Sequence, residues 1–483
     1  MKKTCVIILL FIQSLGLICA QNLVSDTLLG SKTLGELITQ FNIPFIQYGV
    51  NYYRITYTTQ NVHGMTDTVS GLVVLPSDTS KIYPRLVYTH GFASLKLDVP
   101  SFNVTQNGGE GSIGLLFGGL GFISLLPDYL GMGLGKGFHP AFHAASEAST
   151  SADMLRALKL FAALHHVHFN NQLFITGYSE GGHASMALHQ LIQTKLTAEF
   201  AVTAATHLSG PYSIGEVMRQ WTLNDSINNN VAWIPLTVLS YQQAYGNIYT
   251  NLSDVFKAPY FTPIGQYLSG TIDAGQMGSQ LATSLINIEG SIRPFRMLQP
   301  AFQQAVLTDP NHPYIIDLKL NNTYLWVPLA PTRIYYCSAD EVIPYQNGVL
   351  ARDTMIALGA SNLSGSDVNS SAGHLDCVTP ALTNTVLFFL PLRQIDTYVS
   401  TTEQQQMPIL MEPNPAHQFV TLSQLNGNGH LSIVDLNGRL MYKEDLHVDQ
   451  TTIDLSGFEN GVFVIRYLSN GKTWQAKLVH QVY

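Results

Sequence analysis

Gly177-Tyr178-Ser179-Glu180-Gly181, followed by Gly182, stands directly after the apolar run Leu173–Thr176 and directly before the helical pattern His183–Thr194. A strand that turns into a helix within so few residues leaves no room for large side chains beside the turn. Gly177 and Gly181 meet that demand. The serine hydroxyl is then presented at a helix N-terminus, whose dipole favours a developing negative charge. The segment therefore constrains fold and chemistry together: a strand–turn–helix within an α/β sheet, and a candidate nucleophile at Ser179.

The flanking sequence supplies the rest of such a sheet. Tyr53–Thr58 and Thr68–Leu75 alternate or run apolar around a turn at His63-Gly64, and read as an antiparallel pair. Arg85–Thr89, Phe122–Leu126, Leu173–Thr176, Ala201–Leu208 and Arg333–Tyr336 are short apolar runs. Helical patterns at Ala148–Leu164, His183–Thr194 and Pro380–Leu392 lie between or after them. This alternation predicts a mostly parallel, doubly wound α/β sheet over residues 21–399. Between Pro211 and Pro331 the alternation stops, and aromatics such as Trp221, Trp233, Tyr241 and Tyr260 are scattered through the segment. Residues of about 212–330 are expected to form an inserted helical cap.

Residues 400–407 are polar and without period, a linker. From 408 to 483 the texture is all-β. His430–Asp435 alternates, and Leu440–Lys443, Thr452–Leu455, Val462–Tyr467 and Trp474–Val479 follow at regular spacing. That pattern predicts a small β-sandwich.

Lys2, Lys3, the apolar stretch ending at Ile18, and Ala20-Gln21 read as a signal peptide, residues 1–20. The stretch is shorter than the ~20 residues of a membrane span and is interrupted by Gln13 and Ser14. No later run is long enough to span, so no transmembrane segment is expected after cleavage. The 483 residues carry 24 Lys plus Arg against 32 Asp plus Glu, a formal charge of −8. So few basic residues argue against a nucleic-acid partner. A hydrophobic content of 46% excludes disorder over the whole length.

A serine nucleophile needs a base, and the base needs an orienting carboxylate. In sheets of this kind the chain order is Ser, acid, His. After Ser179 the α/β region holds His183, His189, His207, His312 and His374. The first three come too early and His312 falls in the cap, which leaves His374 as the base. Asp340 follows the strand Arg333–Tyr336 at its carboxyl end, where open α/β sheets carry their sites. It is the expected acid, with Glu341 the runner-up. Asp353, inside a helix, and Asp367, in a polar loop, are placed less well. Two backbone amides are expected to form an oxyanion hole: Glu180 after the nucleophile, and Phe92 in His90-Gly91-Phe92-Ala93. Their amides, rather than their side chains, are expected to matter. His165-His166-x-His168 has no Cys, Asp or Glu beside it and reads as a helix–strand loop, so no metal is expected. The chemistry calls for no cofactor.

With these residues assembled, residues 45–395 resemble the secretory lipase family of α/β-hydrolases. The marks are His90-Gly91-Phe92, Pro127-Asp128-Tyr129-x-Gly131-x-Gly133, His139-Pro140, the Asp153–Leu158 helix, Gly177–Gly182, Asp340-x-Val342-Ile343-Pro344 and Gly373-His374. The resemblance implies an α/β-hydrolase fold with a helical lid. It also implies hydrolysis of an ester or lipid substrate through an acyl-enzyme, with Ser179, Asp340 and His374 as the triad. Residues 408–483 resemble a C-terminal sorting domain of the type IX secretion system. The marks there are Glu412-Pro413-Asn414-Pro415-Ala416, Ile433–Arg439, Ile453–Ser456, Gly461-Val462-Phe463 and Lys477. This implies a Gram-negative source, passage through the periplasm, the type IX machinery as partner, removal of the tail, and a secreted or cell-surface destination. The competing readings are a serine peptidase of prolyl-oligopeptidase type, a non-catalytic binding protein on a hydrolase scaffold, and a carbohydrate-binding sandwich for the tail.

Of four cysteines, Cys5 and Cys19 leave with the signal peptide. Cys337 lies three residues before Asp340 and Cys377 three after His374. A triad would draw these neighbours together, and an oxidising compartment would join them; the alternative is two buried thiols. Closing a loop of about 40 residues stabilises by about 3–4 kcal/mol on the chain-entropy account.

Overall fold

The computed structural model describes residues 23–398, 410–425, 427–435, 438–469 and 472–481. The expected signal peptide and the expected linker lie outside the described residues. The chain divides into two compact units, Met1–Tyr398 and Val399–Tyr483.

The first unit is built on one sheet. Its strands are β1 (Leu23–Lys32), β2 (Val50–Gln60), β3 (Thr66–Pro76), β4 (Lys81–Thr89), β5 (Ile123–Pro127), β6 (His168–Gly177), β7 (Ala204–Leu208), β8 (Thr332–Tyr336), β9 (Leu363–Asp367) and the short β10 (Asp396–Thr397). The order is β1-β2-β3-β5-β4-β6-β7-β8-β9, with β10 paired to β4. The pairs β1–β2, β2–β3 and β3–β5 are antiparallel. Every neighbour pair from β5 to β9 is parallel. Helices Ala144–Leu164 and Glu180–Lys195 make the crossovers on either side of β6.

Strand periodicity divides the core in two. Leu72, Val74, Leu86, Tyr88, Leu126 and Phe174 pack on one face of the sheet. Val73, Leu75, Val87, Leu125, Leu173 and Ile175 pack on the other. Because successive side chains point to opposite faces, a strand buried on both sides reads as an unbroken apolar run, as these do. Each fully buried Leu, Val or Phe contributes about 1.5–3 kcal/mol.

Two edge strands depart from the expectations. β1 was not anticipated, because Leu23–Lys32 does not alternate. Most of its residues are exposed or half-buried, and its ladder to β2 is bulged. Asp367 closes β9 instead of lying in a polar loop. Leu-Ser-Gly-Ser-Asp carries no apolar signal, and only the parallel ladder to β8 makes it a strand.

Between β7 and β8 the chain runs through helical segments from Ile214 to Leu320, the longest being Trp233–Tyr245 and Ala274–Glu289. They close on a core of their own, with Trp233, Leu239, Tyr241, Phe256, Met277 and Leu281 fully or almost fully buried. This is the inserted cap. Ala141, Phe142 and Ile343 from the sheet body join the same cluster.

The second unit holds β11 (Leu410–Glu412), β12 (Phe419–Ser423), β13 (Asn428–Asp435), β14 (Leu440–His447), β15 (Gln450–Asp454), β16 (Gly461–Ser469) and β17 (Lys472–His480). They form two antiparallel sheets, β11-β12-β15 and β14-β13-β16-β17. Alternate residues, among them Val420, Leu422, Leu431, Ile433, Phe463, Ile465 and Tyr467, fill the space between, which makes a small β-sandwich.

Candidate active site

Ser179 sits between the end of β6 and the first residue of helix Glu180–Lys195, at φ 60° and ψ −121°. That left-handed backbone costs a non-glycine residue on the order of 1–3 kcal/mol and persists only where the surroundings impose it. They do so here. Ser179 donates its amide hydrogen to the Leu208 carbonyl at 3.0 Å. A Cβ on Gly181 would lie 1.9 Å from the Thr89 carbonyl oxygen, and one on Gly177 would lie 2.1 Å from Thr89 Oγ1. Thr89 closes the turn by donating its hydroxyl to the Gly181 carbonyl at 2.6 Å.

Three side chains from distant segments meet at this turn. His374 Nε2 lies 2.9 Å from Ser179 Oγ. His374 Nδ1 lies 2.7 Å from Asp340 Oδ2. The other Asp340 oxygen accepts the amides of Val342 at 3.0 Å and Ile343 at 2.8 Å. Two backbone donors thus hold the carboxylate in the plane it offers to the imidazole.

The alternatives lie elsewhere. Glu341 accepts the His374 amide at 3.0 Å and so steadies the loop of the imidazole. Asp353 pairs with Arg352 at 2.7 Å. Asp367 accepts the Asn369 amide at 3.1 Å. His183 bonds Glu147, His189 lies against His207, and His312 caps the helix Pro313–Leu320. Tyr178 donates its phenol to the His374 carbonyl. Burial raises that phenol above its ordinary range, which keeps it a donor. Cys337 and Cys377 are joined by a disulfide with Cα atoms 6.0 Å apart.

Ser179 and His374 open into a cavity of about 450 Å³. Phe92, Ile113, Val342, Leu375, Val378 and Leu382 give it an apolar lining, beside Tyr88 and Glu110. Gly91 donates its amide to Glu110 at 3.0 Å, and Tyr88 donates its phenol to the same carboxylate at 2.6 Å. Phe92, the next residue, therefore borders the cavity from a loop held in place. Glu180 opens its helix, so its amide is among those that a helix start leaves without an intrahelical acceptor. This layout allows a nucleophile, a proton acceptor and amide donors to address one reacting carbonyl.

The Glu180 side chain makes a contact that the sequence did not indicate. It is fully buried, and its Oε1 lies 3.0 Å from Nε2 of the nearly buried His139. The sequence offered only an indirect signal, a carboxylate in the first turn of a helix that the sheet must cover. The imidazole run at 165–168 joins the helix Ala144–Leu164 to β6, and Asp26 of β1 meets His165 Nε2 at 2.7 Å. Among the described residues no three His, Cys, Asp or Glu side chains gather as a metal would require.

Residues 412–481 match the family described as the secretion system C-terminal sorting domain. The tail is a type IX sorting domain. The chain is thereby addressed to a secretion system, for release or display at the cell surface. Among the described residues, no helix is long and apolar enough to cross a membrane. No curated protein sequence matches the chain. Solved structures do resemble it. The rice cell wall degrading esterase LipA from Xanthomonas oryzae is 24% identical with a TM-score of 0.67, covering 77% of this chain and 97% of that one. Lipase A of Candida antarctica is 17% identical with a TM-score of 0.58, covering 77% and 81%. At these identities the likeness establishes the α/β-hydrolase fold.

Proposed function

We propose that the protein is a secreted serine hydrolase of carboxylic esters. The observation that carries this reading is the hydrogen-bonded series Ser179–His374–Asp340, whose serine and imidazole line the cavity. His374 takes the Ser179 proton as Oγ attacks the ester carbonyl. Asp340 orients the imidazole and offsets its charge. The carbonyl oxygen becomes an oxyanion, received by the amides of Phe92 and Glu180. As the tetrahedral intermediate collapses, the alkoxy oxygen leaves with the proton from His374, and an acyl group remains on Ser179. Water then attacks with His374 again as base, which releases the acid and restores the serine. The type IX machinery would carry the protein from the periplasm across a Gram-negative outer membrane and remove the tail.

The test is a set of initial rates on p-nitrophenyl esters from acetate to palmitate, beside a peptide amide. Ester turnover that disappears in Ser179→Ala supports the reading. Amide turnover without ester turnover would favour a peptidase, and no turnover on either would favour a binding protein.

A further inference from the structure

Beneath the nucleophile lie four buried titratable side chains that the chemistry above leaves unused. Glu180 follows Ser179 directly, and His139 comes from the loop after β5. His139 Nε2 is 3.0 Å from Glu180 Oε1, and its Nδ1 is 2.9 Å from the Leu130 carbonyl. The same Glu180 oxygen accepts the Phe142 amide at 3.1 Å. A carbonyl can only accept, so His139 Nδ1 carries a hydrogen. Nε2 and Oε1 then share one more proton, which makes the pair neutral as a whole. The Phe142 amide on Oε1 favours the carboxylate, and so an imidazolium at His139.

The second pair repeats the logic. His183 Nδ1 is 2.7 Å from Glu147 Oε2, and its Nε2 is 2.8 Å from the Asn321 carbonyl. Glu147 belongs to the helix Ala144–Leu164, and Asn321 closes the cap helix Pro313–Leu320. The first turn of the serine's helix is thus tied through Glu180 to the loop 139–142, and through His183 to the preceding helix and the cap.

Such an arrangement is costly. Among the described residues, Glu180 Oε2 and Glu147 Oε1 are buried without a hydrogen-bond partner. Buried ion pairs seldom improve on apolar packing, so their presence points to a task other than stability. Burial by itself would raise the Glu180 carboxyl, but His139 beside it brings it below its ordinary value. Burial by itself would lower His139, but Glu180 lifts it above its ordinary value. The other groups that face the pair are His90 from the end of β4, Tyr129 stacked on His139, Glu147, His183, and Tyr267 from the cap.

We propose that Glu180 and His139 are a positioning pair for ester hydrolysis. The salt link pins the turn that carries Ser179 and the Glu180 amide. The shared proton cancels a carboxylate that would otherwise oppose the oxyanion forming one residue away. The inference rests on the ester-hydrolase reading, and the pair acts through the turn without touching substrate. As pH rises far enough to remove the shared proton, an uncompensated negative charge is left beside the oxyanion, and kcat falls.

The experiment compares wild type, Glu180→Gln and His139→Gln on p-nitrophenyl butyrate across pH, with melting curves and fluorophosphonate labelling of Ser179. Glu180→Gln is expected to lower kcat about 10–100-fold, with KM changed less than about twofold, and to abolish the alkaline fall of kcat. A variant with wild-type kcat and an unchanged alkaline limb overturns the pair while leaving the hydrolase reading intact. A wild type that neither labels at Ser179 nor hydrolyses esters overturns the hydrolase reading, and the pair with it. Ring-nitrogen NMR of the wild type gives a readout that needs no variant to fold. Both His139 nitrogens protonated at neutral pH support the pair, and a neutral His139 there overturns it.

Discussion

Cys337 and Cys377 are bonded to each other, one three residues before Asp340 and the other three residues after His374. The covalent link therefore joins the loop that carries the carboxylate to the loop that carries the imidazole. His374 gains a fixed approach to Ser179 that its exposed neighbour Leu375 cannot supply by packing. Replacing both cysteines by serine is expected to lower stability by about 2–4 kcal/mol. It should also lower kcat more than it changes KM. Denaturant melts and steady-state rates on one ester check this, and unchanged kcat would show that the bridge serves stability alone.

Ser179→Ala should lower ester turnover by on the order of 10⁶-fold. The melting temperature should stay near that of wild type, because the hydrogen bond from the Ser179 amide to the Leu208 carbonyl and the glycine contacts of the turn do not involve the hydroxyl. Rates and a thermal melt of the same preparation suffice. Most of the activity surviving in the alanine variant would remove Ser179 from the mechanism.

Asp317 gives a pH prediction within the cap. It is 1% exposed; among the described residues Oδ1 receives a 3.3 Å bond from Asn247 and Oδ2 has no partner. Burial pushes its carboxyl up to about 6. The folded state therefore keeps a proton that the unfolded chain gives up near pH 4, so stability falls as pH rises from about 4 to about 6 and is level above. Asp317→Asn removes that fall and should stabilise by up to about 3 kcal/mol at pH 8, with little effect at pH 4. Denaturant midpoints at the two pH values decide it, and equal shifts at both would refute the assignment.

A chain ending before residue 408 should remain folded and hydrolyse esters, but should no longer reach the cell surface. The sandwich has its own core around Ile433, Ile465 and Tyr467, and the sheet unit has separate cores around Leu86 and Val87. Fractionation of cells that express the truncated chain, with ester rates on the periplasmic fraction, tests both halves of the statement. An inactive or insoluble truncation would show that the tail supports the sheet unit.

Much of this protein was legible in the amino-acid order alone. The apolar runs that became β4 to β8, the glycines around Ser179 and the alternation of the tail are local patterns. Local patterns report which faces a segment must bury. Chain order then singled out Asp340 and His374, because a sheet of this topology admits few alternatives. Edge strands gave no such signal. β1 and β9 are held by backbone ladders to β2 and β8, and a ladder is indifferent to the side chains that a pattern reads. The link between Glu180 and His139 was equally silent. These residues are 41 positions apart, and they meet only because a loop and a helix start are pressed together over the same end of the sheet. Sequence thus determined where apolar surface had to go and which residues were candidates for the site. Folding decided which buried charges found partners, since that depends on close approach between segments whose separation no local period encodes.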